Sequence, residues 1–284
     1  MFQKKWRVYW WLLLLVLIGG GLYFSTRPQL TEKKLPVATT MAQVGIFDRL
    51  GVPLAAVPSS DESLPERYAG LPQVGNHVSI NFEAIMRVNP SVVYVDQTLT
   101  SDYATKLNTS HIKMQALDFS TYQAMQKSIL QLGITYHKTA AAQELLSALK
   151  LPKKAAMRPV KVLLLIGMPG GSFLVANDQT YIGDLVKRAG GQIVGGDPTS
   201  QLSTPNPQTI AQENPDVVIR LAHAMPQQVK QSFAQTFQQA PYQTLAATKN
   251  GQVHDVTSPV FAMTANLEVV SAYEQIQAWL KAAE

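Results

Sequence analysis

The histidine in "VVIRLAHAMPQQV" is the side chain whose type and position first suggest chemistry. This stretch, Val217 to Val229, runs apolar like a buried strand and then stops at His223, Met225 and Pro226. A neutral imidazole at a strand end is a well-placed nitrogen donor. It is either a satisfied histidine or a metal ligand at the mouth of a cleft, and residue type alone leaves both open. His111, His137 and His254 read as structural, at a strand entry, on a helix face and in a late strand.

Other chemistries lack parts. The chain has no cysteine, which excludes disulfides, thiolate zinc sites, iron–sulfur clusters and cysteine nucleophiles. "GMPGGSFL", Gly167 to Leu174, is glycine-rich but matches neither G-x-x-x-x-G-K-[ST] nor G-x-G-x-x-G. "GGSF" lacks the second glycine of a nucleophile elbow. No HExxH or clustered His/Asp set occurs. With no poised base for a hydrolase, the chain reads as a binding protein and not an enzyme. The pI near 9.3 suggests a polyanion partner, but the charge distribution argues otherwise. Residues 1–34 carry Lys4, Lys5, Arg7, Arg27, Lys33 and Lys34 against Glu32, which accounts for the whole formal charge of +5. The remainder is balanced, so the excess belongs to membrane topology and no nucleic-acid partner is expected.

These residues need elements to position them. With 284 residues and 46% hydrophobic content, the chain can build two ordinary domains. Val8 to Phe24 is an uncharged run flanked by Trp6, Tyr9, Trp10, Trp11, Tyr23 and Phe24, like interfacial belts. No A-x-A-like cleavage site follows closely. Residues 1–24 are therefore expected to be an uncleaved signal-anchor in the cell membrane, and 25–34 a spacer, with the bulk of the chain extracellular.

From residue 35 onward, strand-like runs alternate with helical ones, the signature of a parallel sheet with covering helices. The fold class expected is α/β, with two Rossmann-like lobes joined by one long rigid helix. Residues 35–119 form the N-terminal lobe, 120–150 the linking helix and 151–284 the C-terminal lobe. "NFEAIMRVNPSVVYV" and "NPQTIAQENPDVVIR" share N-x-x-x-I-x-x-x-N-P-x-V-V, a helix, an Asn-Pro turn and a buried strand in each lobe. Both strand ends, at Asp96 and at Leu221–His223, should face a cleft between the lobes. An anchored, outward-facing, two-lobed chain suggests a solute receptor.

At this point the sequence resembles a known class. "LPERYAGLPQVG", "MQKSILQLG", "SFLVANDQTYIGDLVKRAGG", "IRLAHAMP" and the "TAN" of Thr264–Asn266 match, in order, the ABC-transporter substrate-binding proteins of class III. These have one linking helix and bind ferric siderophores, cobalamin or haem. Within the class, the chain is most similar to the haem receptors of the Gram-positive Isd uptake system, over Leu35 to the C-terminus. The resemblance implies haem b (iron protoporphyrin IX) as ligand and His223 as an axial ligand. The family's second axial ligand, a methionine, falls on Val78, which has no donor atom, while His77 precedes it. Bis-histidine ligation by His223 and His77 is the expectation, with Met41 and Met225 as substitutes. Backbone contacts to the propionates fall on Met41, Ala42, Ser60 and Asp61, although the family has an aromatic residue where Asp61 stands. Phe173, Tyr181, Phe261 and Met263 are candidate pocket walls, each of which reads more simply as core packing.

The resemblance further implies an ABC permease as partner, with Glu83 as the docking carboxylate of the N-lobe. The matching C-lobe position is Gln208, which is uncharged. Upstream haem-relay surface proteins are further partners, and the chain is expected to act as a monomer. Two alternatives stand beside haem delivery: a ferric-siderophore or cobalamin receptor of the same class, and an anchored haem storage or relay protein without a permease.

Overall fold

Residues 34–76, 79–154 and 158–284 are described by the computed structural model, and Leu35–Glu284 forms one compact unit. The expected anchor, residues 1–24, lies outside the described residues, as do His77 and Val78. Among the described residues, no helix is long and apolar enough to cross a membrane.

Short apolar runs make the N-lobe sheet. β1 (Val37–Ala38), β2 (Val93–Asp96) and β3 (Met114–Leu117) pair in parallel in that order. Single bridges extend the sheet beyond β1, from Val37 to Ala56 and from Val57 to Gln73, both parallel. The chain therefore leaves β1 in one direction and later returns to build β2 and β3 on the other side. That divergence is a topological switch point, which in open parallel sheets leaves a crevice at the carboxyl ends of the strands. α1 (Met41–Leu50), α2 (Phe82–Arg87) and α3 (Thr100–Thr109) cover the sheet. Gly51 ends α1 in the left-handed region at φ 66°, as a glycine can without a Cβ penalty.

The linker departs from expectation. The sequence predicts one helix over 120–150, but the chain forms α4 (Tyr122–Thr135) and α5 (Thr139–Ala148). The break lies at His137, whose φ of 55° is left-handed. The Lys138 N–H donates to Gly133 O at 2.7 Å and the His137 N–H to Ile134 O at 3.2 Å, the paired bonds of a Schellman ending. Gly133 itself stays helical. A Cβ there would lie 2.6 Å from the Ala142 Cβ, so the glycine lets α5 fold back closely on α4. His137 thus closes a helix instead of sitting on its face.

The C-lobe sheet is mixed, not purely parallel. Central β4 (Val160–Gly167) pairs in parallel with β6 (Gly191–Ile193) and β8 (Val217–Ala222), and β8 with β9 (Val253–Val256). β5 (Phe173–Ala176) runs antiparallel to β4 and to β7 (Leu202–Ser203). The "GMPGGSFL" glycines make the β4–β5 turn, with Gly170 and Gly171 at φ 93° and 89°. Helices α6 (Tyr181–Ala189), α7 (Pro207–Glu213), α8 (Pro226–Phe237), α9 (Ala246–Lys249) and α10 (Val269–Ala282) flank this sheet. One apolar cluster includes Phe47 and Tyr94 of the N-lobe, Met125 and Leu145 of the linker, and Val162, Leu185 and Tyr273 of the C-lobe, so the lobes share a core.

Candidate functional site

The N-lobe edge is built around a helix start. β1 ends at Ala38, and Thr40 caps α1, its hydroxyl accepting the Gln43 N–H at 3.3 Å. Thr39 ties the turn down: its N–H donates to Gln43 Oε1 at 2.8 Å and its hydroxyl to Tyr94 O at 2.9 Å. The next two N–H groups, those of Met41 and Ala42, have no acceptor within the helix, as at any helix start. Both residues are half-buried, and no acidic side chain occupies the first turn. The positive end of the helix is therefore open to a carboxylate.

Ser60 and Asp61 follow the bridge residue Val57 and are exposed. The Ser60 hydroxyl accepts the Glu62 N–H at 3.0 Å. The Ser59 N–H donates to Gly75 O at 2.8 Å, which brings the segment before His77 to the same edge. The Asn76 N–H donates to Ser79 O at 3.0 Å and the Ser79 N–H to Asn76 Oδ1 at 3.0 Å. Hence both flanks of residues 77 and 78 are placed, beside Ser59. His77 and Val78 themselves lie outside the described residues.

On the C-lobe edge, His223 directly follows β8 and is half-buried. β8 is buried along its whole length, and Ala222 pairs with Gly167 at the end of β4. Arg220 anchors β8: it forms a two-point pair with Asp255 at 2.8 and 2.7 Å and lies 4.6 Å from the centre of the Phe237 ring. Two thioethers flank His223 in sequence and sheet. Met168 follows β4 and is 41% exposed; Met225 is 58% exposed. Met225 caps α8 at φ 48°, without a side-chain hydrogen bond. A non-glycine residue there costs about 1 kcal/mol. Sequence reasoning passed over Met168; the signal was its position, first after an apolar strand.

Residues 257–267, which leave the carboxyl end of β9, join the two edges. The Ala265 N–H donates to Phe119 O, just past β3, at 2.8 Å. Leu267 lies against Gly45 of α1. Asp96, the last residue of β2, is 2% exposed. Its Oδ1 accepts the Thr98 hydroxyl at 2.7 Å and the Thr98 N–H at 3.0 Å. Burial raises its pKa above 3.8, and the charge of Asp118 adds to the rise. Thr98, and Thr264 from the other lobe, act in the opposite direction. Residues 264–267, which follow β9, thus lie against the carboxyl edge of the N-lobe sheet.

The proposed pocket walls do other work. Phe173 packs on Phe233 and Tyr242, with ring centres 5.6 and 5.9 Å apart. Tyr181 is buried in the shared core, and Met263 packs against it. Phe261 stacks on Trp279 at 5.5 Å. His254 stacks on the same indole at 4.3 Å, and burial lowers its pKa.

The repeated fragment has a common geometry in the two lobes. Asn81 and Asn206 cap α2 and α7 with their side chains, while Asn89 and Asn214 take left-handed φ of 45° and 44° before proline. Glu83 and Gln208 fall at the same position in the two helices, and both are exposed.

Comparison with known proteins agrees with this architecture. Residues 37–260 match the profile described as periplasmic binding protein. The high-affinity heme uptake system protein IsdE of Staphylococcus aureus is 36% identical over 248 residues, covering 84% of this chain and 85% of that protein. The crystal structure of S. aureus IsdE complexed with heme superposes with a TM-score of 0.78 at 33% identity, covering 87% of this chain and 99% of that one. An ABC transporter substrate-binding protein from Listeria monocytogenes gives 0.80 at 33% identity, with the same coverage. A profile match over most of the chain, and a relative this similar over most of both lengths, lead to one conclusion: the chain belongs to the periplasmic binding protein family.

Proposed function

We infer that this protein is an extracellular haem receptor that delivers its ligand to an ABC-type importer. The observation that carries the reading is His223, half-buried at the carboxyl end of β8, in a chain 36% identical to a heme uptake protein. A strand end backed by the Arg220–Asp255 pair gives the imidazole little freedom, which suits axial ligation of iron. The Met41 and Ala42 amides suit a propionate, because a helix start offers N–H donors and a positive dipole end. The Ser60–Asp61 loop lies on the same edge and takes the second propionate. Met168 and Met225 supply soft apolar contact for a porphyrin face. His77 is the second axial ligand in this reading, since Val78 has no donor atom. The ligand in this reading is haem b.

Glu83 meets the permease, and residues 1–24 hold the chain at the membrane with the cleft outside. The test is titration of the purified full-length chain with haemin, cyanocobalamin and a ferric siderophore, followed by absorption. Haemin should give a saturable Soret shift, and the other two should give no saturable change. Saturable binding of cobalamin or siderophore, with none of haemin, would contradict the reading.

A further inference from the structure

The "TAN" segment, Thr264–Asn266, lies at the boundary between the two lobes. Among the described residues, Asp96 Oδ2 is buried and closes no hydrogen bond. A buried carboxylate oxygen left this way is costly. The hydroxyl of Thr264, from the opposite lobe, nevertheless faces the carboxyl closely enough to favour its charged form. The neighbouring Ala265 N–H already donates to Phe119 O across the same boundary at 2.8 Å. An acceptor on one lobe thus lies near a donor on the other, and a small approach of the lobes would join them.

We propose that Asp96 and Thr264 are positioning residues that form a hydrogen-bonded clasp across the lobe boundary when the cleft holds haem, and that this clasp sets how slowly haem leaves. The proposal rests on the haem reading above. Asp96 ends β2, beside the switch point, and Thr264 lies in the segment leaving β9. Neither needs to touch the ligand. A ligand held between two lobes leaves when they part, so a bond closed only in the loaded state acts on dissociation more than on association.

The experiment measures haem transfer from the loaded full-length chain to excess apomyoglobin, for wild type, Thr264→Val, Thr264→Ser, Asp96→Asn and the Thr264→Val/Asp96→Asn double variant. Loss of a hydrogen bond to a charged group should speed transfer about tenfold in Thr264→Val and in Asp96→Asn. The double variant should be no faster than the faster single, because Thr264→Val deletes the hydroxyl and Asp96→Asn removes the charge of the same charge-assisted bond. Thr264→Ser restores the hydroxyl and should stay within about twofold of wild type. The Soret position should be unchanged throughout, since His223 is untouched. Thr264→Val within twofold of wild type, or additive effects in the double variant, would overturn the clasp. Should Asp96→Asn fail to fold, Thr264→Val against Thr264→Ser still decides. A wild type with no Soret shift removes the haem reading, and the clasp with it; a normal Soret shift with unaltered transfer removes only the clasp.

Discussion

A strand end is where α/β folds present ligands, and His223 directly follows the buried strand β8. Met168 is brought alongside by the β4–β8 register, which sets Gly167 opposite Ala222. Met225 tests how the site balances stability and binding. Met225→Gly should relieve the left-handed strain and leave stability unchanged or raised by about 1 kcal/mol, while speeding haem loss. Urea denaturation and haem transfer check the two halves. Asp96 tests the buried carboxyl. Burial raises its native pKa above 3.8, so the folded chain keeps this proton to higher pH than the unfolded chain. Stability should therefore fall as pH rises from 3.8 through the raised native value. Asp96→Asn should remove that slope, as read from thermal unfolding across this window. With His77 as the proposed second axial ligand, His77→Ala should turn a six-coordinate low-spin spectrum into a five-coordinate one. The strand end before His223 was legible in the sequence, while Met168 was not, because only the β4–β8 register brings it alongside.

At the scale of elements, the sequence speaks clearly where punctuation is chemical. Gly51 and Gly190 end their helices in the left-handed region, and Asn81 and Asn206 begin theirs with side-chain caps, all at positions a reader of the sequence would choose. The α4–α5 break was hidden because Tyr136-His137-Lys138 contains no glycine or proline, and the apolar spacing runs on through Ala142 and Leu145. β5 and β7 were hidden because short antiparallel strands beside glycines resemble loop. Caps make direct predictions. Thr40→Ala should cost about 1 kcal/mol of stability and weaken haem retention, because the Met41–Ala42 amides lose their support. The paired positions of α2 and α7 test docking. Glu83→Ala should reduce haem delivery into permease proteoliposomes without changing the Soret band. Gln208→Glu should raise delivery, by restoring a carboxylate on the second lobe.

For the whole molecule, residues 264–267 carry the C-lobe chain onto the carboxyl edge of the N-lobe sheet, so only small relative movements of the lobes are expected. The shared core argues the same, since Phe47, Met125 and Tyr273 belong to one apolar cluster and packed interiors yield little. In the function proposed above, His223 at the end of β8 holds the haem iron. The most direct measurement is the absorption spectrum of the haemin-titrated full-length chain, compared with His223→Ala. With iron on His223, the wild type should give a saturable Soret shift, and His223→Ala a weaker, blue-shifted high-spin band with at least tenfold looser binding. Identical spectra and affinities in the two proteins would contradict it.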